Sequence, residues 1–168
     1  MNCDSLKEAV IEKFIYNPES GDFIHRGITP RLRKKKGSIA GNINGTGYVV
    51  LYVCGKLYKA HRLAYLLEYG HLPKVVDHIN GNRSDNRILN LRGCTHAENL
   101  KNTGISPRNT SGLKGVSPHK GRWKAMITSN GKVRFLGVFD CKEDAARSWN
   151  TAARMYHGEF AFTNELRD

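Results

Sequence analysis

The chain has 168 residues, enough for one ordinary domain or two small ones. Lysine and arginine number 27 against 15 aspartate and glutamate, a net charge of +12 that excludes an acidic surface and points to a polyanionic partner. An aromatic share of 9% with regular apolar patterning excludes a wholly disordered basic tail, and no window approaches the ~18 uninterrupted apolar residues of a membrane span. With no signal-peptide pattern in residues 1–14, the expectation is a cytoplasmic protein without a membrane partner. Cys3, Cys54, Cys94 and Cys141 lie far apart with no CxxC pair, so they read as isolated reduced thiols rather than a zinc site.

Leu6, Ala9, Val10 and Phe14 recur at helical spacing, and the pattern stops at Asn17-Pro18, predicting a short opening helix. Glu19-Ser20-Gly21-Asp22 makes a turn between Phe14–Tyr16 and Phe23–His25, two runs able to pair as a hairpin. Arg31 to Lys36 is basic at every position but one and is followed by Gly37, Gly41, Gly45 and Gly47. It reads as a charged loop, with Arg33 and Lys35 candidates for DNA-backbone contact and a solvated loop the ordinary alternative. Tyr48–Val53 and Leu57–Ala60 flank a turn at Cys54-Gly55-Lys56, predicting a second hairpin. Leu63, Ala64, Leu66 and Leu67 mark a helix over His61–Tyr69 that Gly70 and Pro73 end.

Val75-Val76-Asp77-His78-Ile79-Asn80-Gly81-Asn82 sets a carboxylate beside an imidazole at the end of a strand-like run. Neighbouring strand residues face opposite ways, so the two groups can serve separate tasks if the strand breaks there, and Asn-Gly-Asn supplies the break. Ile88–Arg92 reads as a second short strand, and Thr95-His96-Ala97-Glu98 has capping-box spacing, predicting a helix from Thr95 with Asn99 near its first turn. Taken alone, Asp-His before Asn-Gly is more often a surface turn held by Asx hydrogen bonds. The full spacing through Asn90 and Asn99 favours a site instead. For His61 the structural role of a helix-start residue outweighs a second active-site role, and His96 reads as an exposed first-turn residue.

These residues, with Asp85-Asn86-Arg87, Asn90-Leu91-Arg92 and the preceding His61-Arg62-Leu63, resemble the HNH motif in the form carried by phage-encoded HNH homing endonucleases. The resemblance covers about Tyr48 to Asn102, and its third motif position is Asn99 rather than histidine. It implies a ββα-metal fold around residues 73–102. It also implies Asp77 and Asn99 as oxygen ligands of a single Mg²⁺ or another divalent ion such as Mn²⁺, with His78 as general base and Asn90 orienting the His78 ring. Hard oxygen donors suit Mg²⁺, and an imidazole titrating near neutrality suits a base, on physical grounds alone.

Asn102–Ser111 is small, polar and broken by glycine and proline, like a linker. Beyond it, Gly115–Pro118, Trp123–Ser129 and Val133–Phe139 read as three strands turned at Lys120-Gly121 and Asn130-Gly131. Ala145, Ala146, Trp149, Ala152, Ala153 and Tyr156 then form one face of an amphipathic helix, with Trp149 in the core. Ser111–Val116, Gly121–Ala125, Phe135–Phe139 and Glu143–Ala146 resemble the AP2 DNA-binding domain, which implies a three-stranded sheet facing duplex DNA. By that resemblance Arg122, Trp123, Lys124 and Arg134 meet DNA, with Lys120 and Lys132 nearer phosphates; for Trp123 the alternative is a packed core aromatic.

The expectation is thus an α+β chain: an HNH module over 1–102, a linker over 103–110 and an AP2-like module over 111–168. It would act as a site-directed endonuclease on double-stranded DNA, with monomeric action the simplest case since nothing calls for a protein partner. The rival is a noncatalytic, sequence-specific DNA-binding regulator, which the intact Asp77, His78, Asn90 and Asn99 disfavour. An RNA-binding role would need stacking aromatics in which the expected sheet is poor.

Overall fold

The computed structural model describes residues 2–27 and 35–166. Arg33, with most of the basic run around it, lies outside the described residues, whereas Lys35 is exposed. Four α-helices and eleven short strands are present among the described residues, in antiparallel sheets of two or three strands. Among the described residues no helix is long and apolar enough to cross a membrane. All four cysteines are free thiols. The chain divides into two compact units, Met1–His96 and Ala97–Asp168. That division falls six residues upstream of Asn102, where the sequence suggests the linker to begin.

In the upstream unit Asn2 caps α1 (Cys3–Lys13) by accepting the Ser5 N–H at 2.9 Å. Phe14 leaves the helix with extended dihedrals and begins β1 (Phe14–Tyr16), so α1 ends before the Asn17-Pro18 stop. β1 pairs with β2 (Phe23–His25) in the expected hairpin, and β3 (Ile39–Ala40) extends that sheet. A second sheet holds β4 (Asn42–Ile43), β5 (Val49–Val53) and β6 (Lys56–Lys59). The β5–β6 turn places Cys54 at φ 44° and Gly55 at φ 79°, the paired left-handed geometry of a tight hairpin. α2 (Ala60–Tyr69) buries His61, Leu63, Ala64 and Leu66 on one face and ends at left-handed Gly70. The apolar side chains of that face join Val10, Phe23, Leu51 and Val76 in one core.

β7 (Val75–His78) pairs antiparallel with β8 (Leu91–Cys94), putting Asp77 opposite Arg92 and His78 opposite Leu91. The second strand thus starts three residues later than the apolar run Ile88–Arg92 suggests. Ile88–Asn90 is a 3₁₀ turn whose Leu89 is 91% exposed, so that leucine contributes no core face.

In the downstream unit α3 (His96–Asn102) comes first, then β9 (Val116–His119), β10 (Arg122–Ser129) and β11 (Lys132–Phe139), with β10 in the middle. Both turns carry two consecutive positive φ angles, Lys120 and Gly121, then Asn130 and Gly131. That is the geometry the Asn-Gly signal predicts. α4 (Lys142–His157) buries Ala145, Ala146, Trp149, Ala152 and Ala153 against Val116, Ala125 and Ile127. Alanines on the helix leave room for one large ring. A Cβ on Gly115, itself at φ 74°, would sit 1.9 Å from Trp149 Nε1, so this position requires glycine.

Candidate active site

β7 alternation sends Asp77 and His78 to different neighbours, as the strand-end reading requires. The Asp77 carboxylate is buried and its Oδ2 accepts two bonds from Arg92, from Nε at 3.1 Å and Nη2 at 2.9 Å. His78 is also buried and lies next to a different set of rings. Its ring centroid is 4.6 Å from that of His61, edge to face, and 6.0 Å from that of Tyr48. The His61 and Tyr48 rings are 5.2 Å apart.

The amide that reaches the His78 ring is Asn86, with Oδ1 3.4 Å from His78 Nε2. Asn86 Nδ2 donates to Ser84 O at 3.1 Å, which fixes the flip of the amide and leaves Oδ1 as the acceptor. The Asn86 amide oxygen therefore faces the Nε2 edge of the His78 ring. Burial pushes the His78 pKa below its ordinary value, outweighing Asn86, Asp77 and Asp85, which raise it. The imidazole is neutral at neutral pH.

Asn90 does a different task from the ring contact expected of it. Its Oδ1 accepts the Asn80 N–H at 3.0 Å and its Nδ2 donates to Asp85 O at 2.8 Å, closing the loop between β7 and β8. A side chain at the start of β8 spans this loop more readily than it reaches the His78 ring. Asn80 Nδ2 in turn donates to Asp85 Oδ2 at 2.8 Å, and Arg87 forms a two-point ion pair with the same carboxylate. The Arg87 hydrogen bond chiefly holds the Asp85 carboxyl down to about 2.

The first hairpin props this loop from behind. Tyr16 Oη donates to Asn86 O at 2.8 Å and Ile88 N donates to Pro18 O at 3.0 Å. Gly21, at φ 79°, comes so close that a Cβ there would lie 2.5 Å from Arg87 N. Burial raises the Tyr16 phenol far above its usual range, keeping it a donor. Spacing alone does not single out Tyr48, His61 or Asn86 as site residues. His61 reads as a helix-start residue, which it is, but α2 also delivers it to the His78 ring. Burial drives its pKa down to about 3, with His78 adding to the effect.

Asn99 lies half-buried in α3, in the downstream unit, and its backbone O accepts from Thr103 Oγ1 at 3.4 Å. His96 is exposed, as expected. Lys114 Nζ donates to the carbonyls of Lys101 and Thr103 at the end of α3, and burial lowers its pKa to about 8. Among the described residues no group of three or more His, Cys, Asp or Glu side chains converges as a metal cage would.

On the downstream sheet Arg122 is exposed and paired with Asp140 at 2.7 Å, and the Arg134 guanidinium stands 4.7 Å from the Tyr156 ring centroid. Lys120 and Lys132 flank the two turns, and Lys124 is half-exposed on β10. Trp123 opposes Phe139 and packs on the inner cluster with Val116 and Ala125. Strand alternation thus gives its ring to the core side.

Residues 58–101 match the model of an HNH endonuclease family. Over 96 residues the chain is 38% identical to Protein 3.8 of Escherichia phage T7, covering 55% of this chain and 78% of that protein. The chain belongs to the HNH endonucleases. An uncharacterised HNH endonuclease of Acanthamoeba polyphaga mimivirus is 34% identical to this HNH protein over 124 residues, which are 72% of this chain. The match spans 64% of the mimivirus protein, less than two thirds of its length. APETALA2-like protein 2 of Oryza sativa subsp. indica is 35% identical over 96 residues, 51% of this chain but 22% of the rice protein. The HNH protein therefore combines an HNH region with AP2-like similarity in one short chain.

Proposed function

We propose that this HNH protein is a site-directed DNA endonuclease in which His78 acts as general base in phosphodiester hydrolysis. The observation that carries the reading is the His78 ring itself: buried, its pKa lowered by that burial, its Nε2 beside Asn86 Oδ1, and a buried carboxylate next to it in the same strand. A neutral imidazole can accept a proton from a water attacking phosphorus. Asn86 then stabilises the imidazolium that forms, and Asn90 keeps the loop bearing Asn86 in register. Burial excludes bulk water, which would otherwise compete for the ring.

Asp77 and Asn99 offer a carboxylate and an amide oxygen, the donor chemistry Mg²⁺ or Mn²⁺ accepts, with water and phosphate completing the shell. Such an ion, bound singly, supplies Lewis-acid polarisation of the phosphoryl group and charge stabilisation at the leaving 3′ oxygen. Arg92 fixes the Asp77 carboxylate in place.

The division of labour assigns cleavage to 1–102, a linker to 103–110 and duplex binding to 111–168. Arg122, Lys124 and Arg134 meet DNA there, with Lys120 and Lys132 on phosphates, and Arg33 and Lys35 add backbone contacts upstream. Trp123 acts in that surface by bracing it from the core side. A mobile, homing-type role in a host cytoplasm fits relatives from a phage and a giant virus, and monomeric action is the simplest case because the reading calls for no second protein chain.

His78→Ala is expected to abolish Mg²⁺-dependent cleavage of duplex DNA while leaving DNA affinity within about twofold, because a base acting on water adds little ground-state binding. Cleavage by purified His78→Ala protein at the wild-type rate would remove the assignment. Failure of the wild-type protein to cut any duplex with Mg²⁺ or Mn²⁺ would favour the regulator reading.

A further inference from the structure

Tyr48 sits beside the two imidazoles and also carries two cations. Lys59 Nζ is 3.8 Å from the centre of its ring and Arg83 Cζ is 5.1 Å from it. Both basic side chains are exposed, and among the described residues neither forms an ion pair. This sets them apart from Arg87 and Arg92, whose charges are answered by Asp85 and Asp77. Desolvation lowers the Lys59 pKa, and Arg83 and Arg62 lower it further by repulsion. Like charges are thus crowded around one aromatic ring, and among the described residues neither is answered by an ion pair.

The platform is built in advance of any ligand. Arg83 Nη1 donates to Thr46 O at 2.9 Å, so the guanidinium is tethered. Asn44 Oδ1 accepts from Thr46 N, Thr46 Oγ1 and Tyr48 N, which fixes the turn delivering the Tyr48 ring. Lys59 is also the residue from which α2 starts. That helix end has no side-chain cap and no acidic residue in its first turn, so its positive end is left unneutralised. Within that first turn His61 is 4% exposed and its Nδ1 is buried with no hydrogen-bond partner. The two cations and the uncapped helix end favour an anion with several acceptor oxygens.

We propose that Lys59 and Arg83, packed over Tyr48 at the start of α2, form a binding site for a backbone phosphate of DNA and hold the strand beside His78. A phosphodiester has one negative charge and two non-bridging oxygens, enough to answer both cations. The Tyr48 ring holds the two charged ends close to it by cation–π attraction. That the phosphate comes from a DNA substrate rests on the nuclease reading above, whereas the anion site itself rests on the geometry alone.

The test uses the full chain and a short labelled DNA duplex, with metal chelated so that binding is read without cleavage. Removing one cation from a phosphate lowers the slope of log affinity against log salt by about one. Lys59→Gln and Arg83→Gln should therefore each flatten the slope by about one and the double variant by about two, with thermal melting unchanged. In cleavage assays with Mg²⁺ the same variants should raise KM more than they lower kcat. Lys59→Arg, which keeps the charge, should keep the wild-type slope. A double variant with the wild-type slope overturns the proposal, and so does Lys59→Arg behaving like Lys59→Gln, since packing rather than charge would then be responsible. If the wild-type protein binds but never cuts, the nuclease reading fails while the slopes still decide the phosphate site.

Discussion

Residues 79–90 of the upstream unit have little regular structure and are held by side-chain amides: Asn80, Asn86 and Asn90 each bridge backbone or side-chain atoms that no ladder could reach. The downstream unit takes the opposite course, with a three-stranded ladder, two left-handed two-residue turns and a helix whose alanines admit one tryptophan. Regular pairing spreads its stability over many equivalent bonds, so the shape survives most single changes outside a tight contact. An amide-stitched loop concentrates its geometry in a few atoms. It can place an imidazole and a carboxylate where no regular element would, and it fails at those atoms first.

Both tryptophans, Trp123 and Trp149, belong to the downstream unit, so their fluorescence reports that unit selectively. The contrast would break most visibly at Gly115. Gly115→Ala forces a Cβ into Trp149 and a left-handed φ on alanine, and the denaturant midpoint read by fluorescence should fall by the equivalent of about 3 kcal/mol or more. Cleavage-site geometry in the upstream unit should be untouched, as amide exchange in α2 would report.

Asn90→Ala should do the reverse. It leaves Asn80 N and Asp85 O without their partner, costing about 2 kcal/mol locally, and cleavage should drop by about tenfold to a hundredfold while tryptophan fluorescence stays unchanged. A wild-type cleavage rate would show that the loop does not depend on that amide.

A test without substitution of the loop is acid. The folded His61 ring holds its proton far less tightly than an unfolded histidine, its pKa falling from the ordinary 6.5 to about 3. The unfolded chain therefore binds the proton first, and stability is lost as pH falls below about 6.5, by about 1.4 kcal/mol per pH unit for this one group. The loss stops near the folded value of about 3. In His61→Phe, amide exchange across α2 should lose that share of the pH dependence, leaving the smaller part due to His78. An unchanged dependence would place the proton elsewhere.

The same contrast explains how much the residues disclose by themselves. Asn130-Gly131, the strands β9–β11 and the Ala145–Tyr156 stripe are written in local periods of two and 3.6, and the folded unit follows them. Asp77 and His78 at a strand end are equally legible, because spacing alone defines the motif. The 3₁₀ turn at Ile88–Asn90 is not, since an apolar run with Leu89 exposed imitates a strand. Family likeness turns Trp123 outward, although period-two alternation with Ala125 and Ile127 sends its ring inward. Tyr48 and Lys59 meet the His78 ring and its loop only through tertiary folding. The bond from Tyr16 to Asn86 spans 70 residues, and no window of sequence contains it.

The bracing of the loop around Asn86 by Tyr16, Pro18 and Gly21 also bears on the smallest size at which the proposed nuclease module could work. A fragment trimmed to residues 58–101 would retain Asp77, His78, Asn90 and Asn99 yet discard the buttress behind the loop, as well as Tyr48. Grafting the motif alone onto another scaffold would therefore transplant the reagents without the wall they lean on.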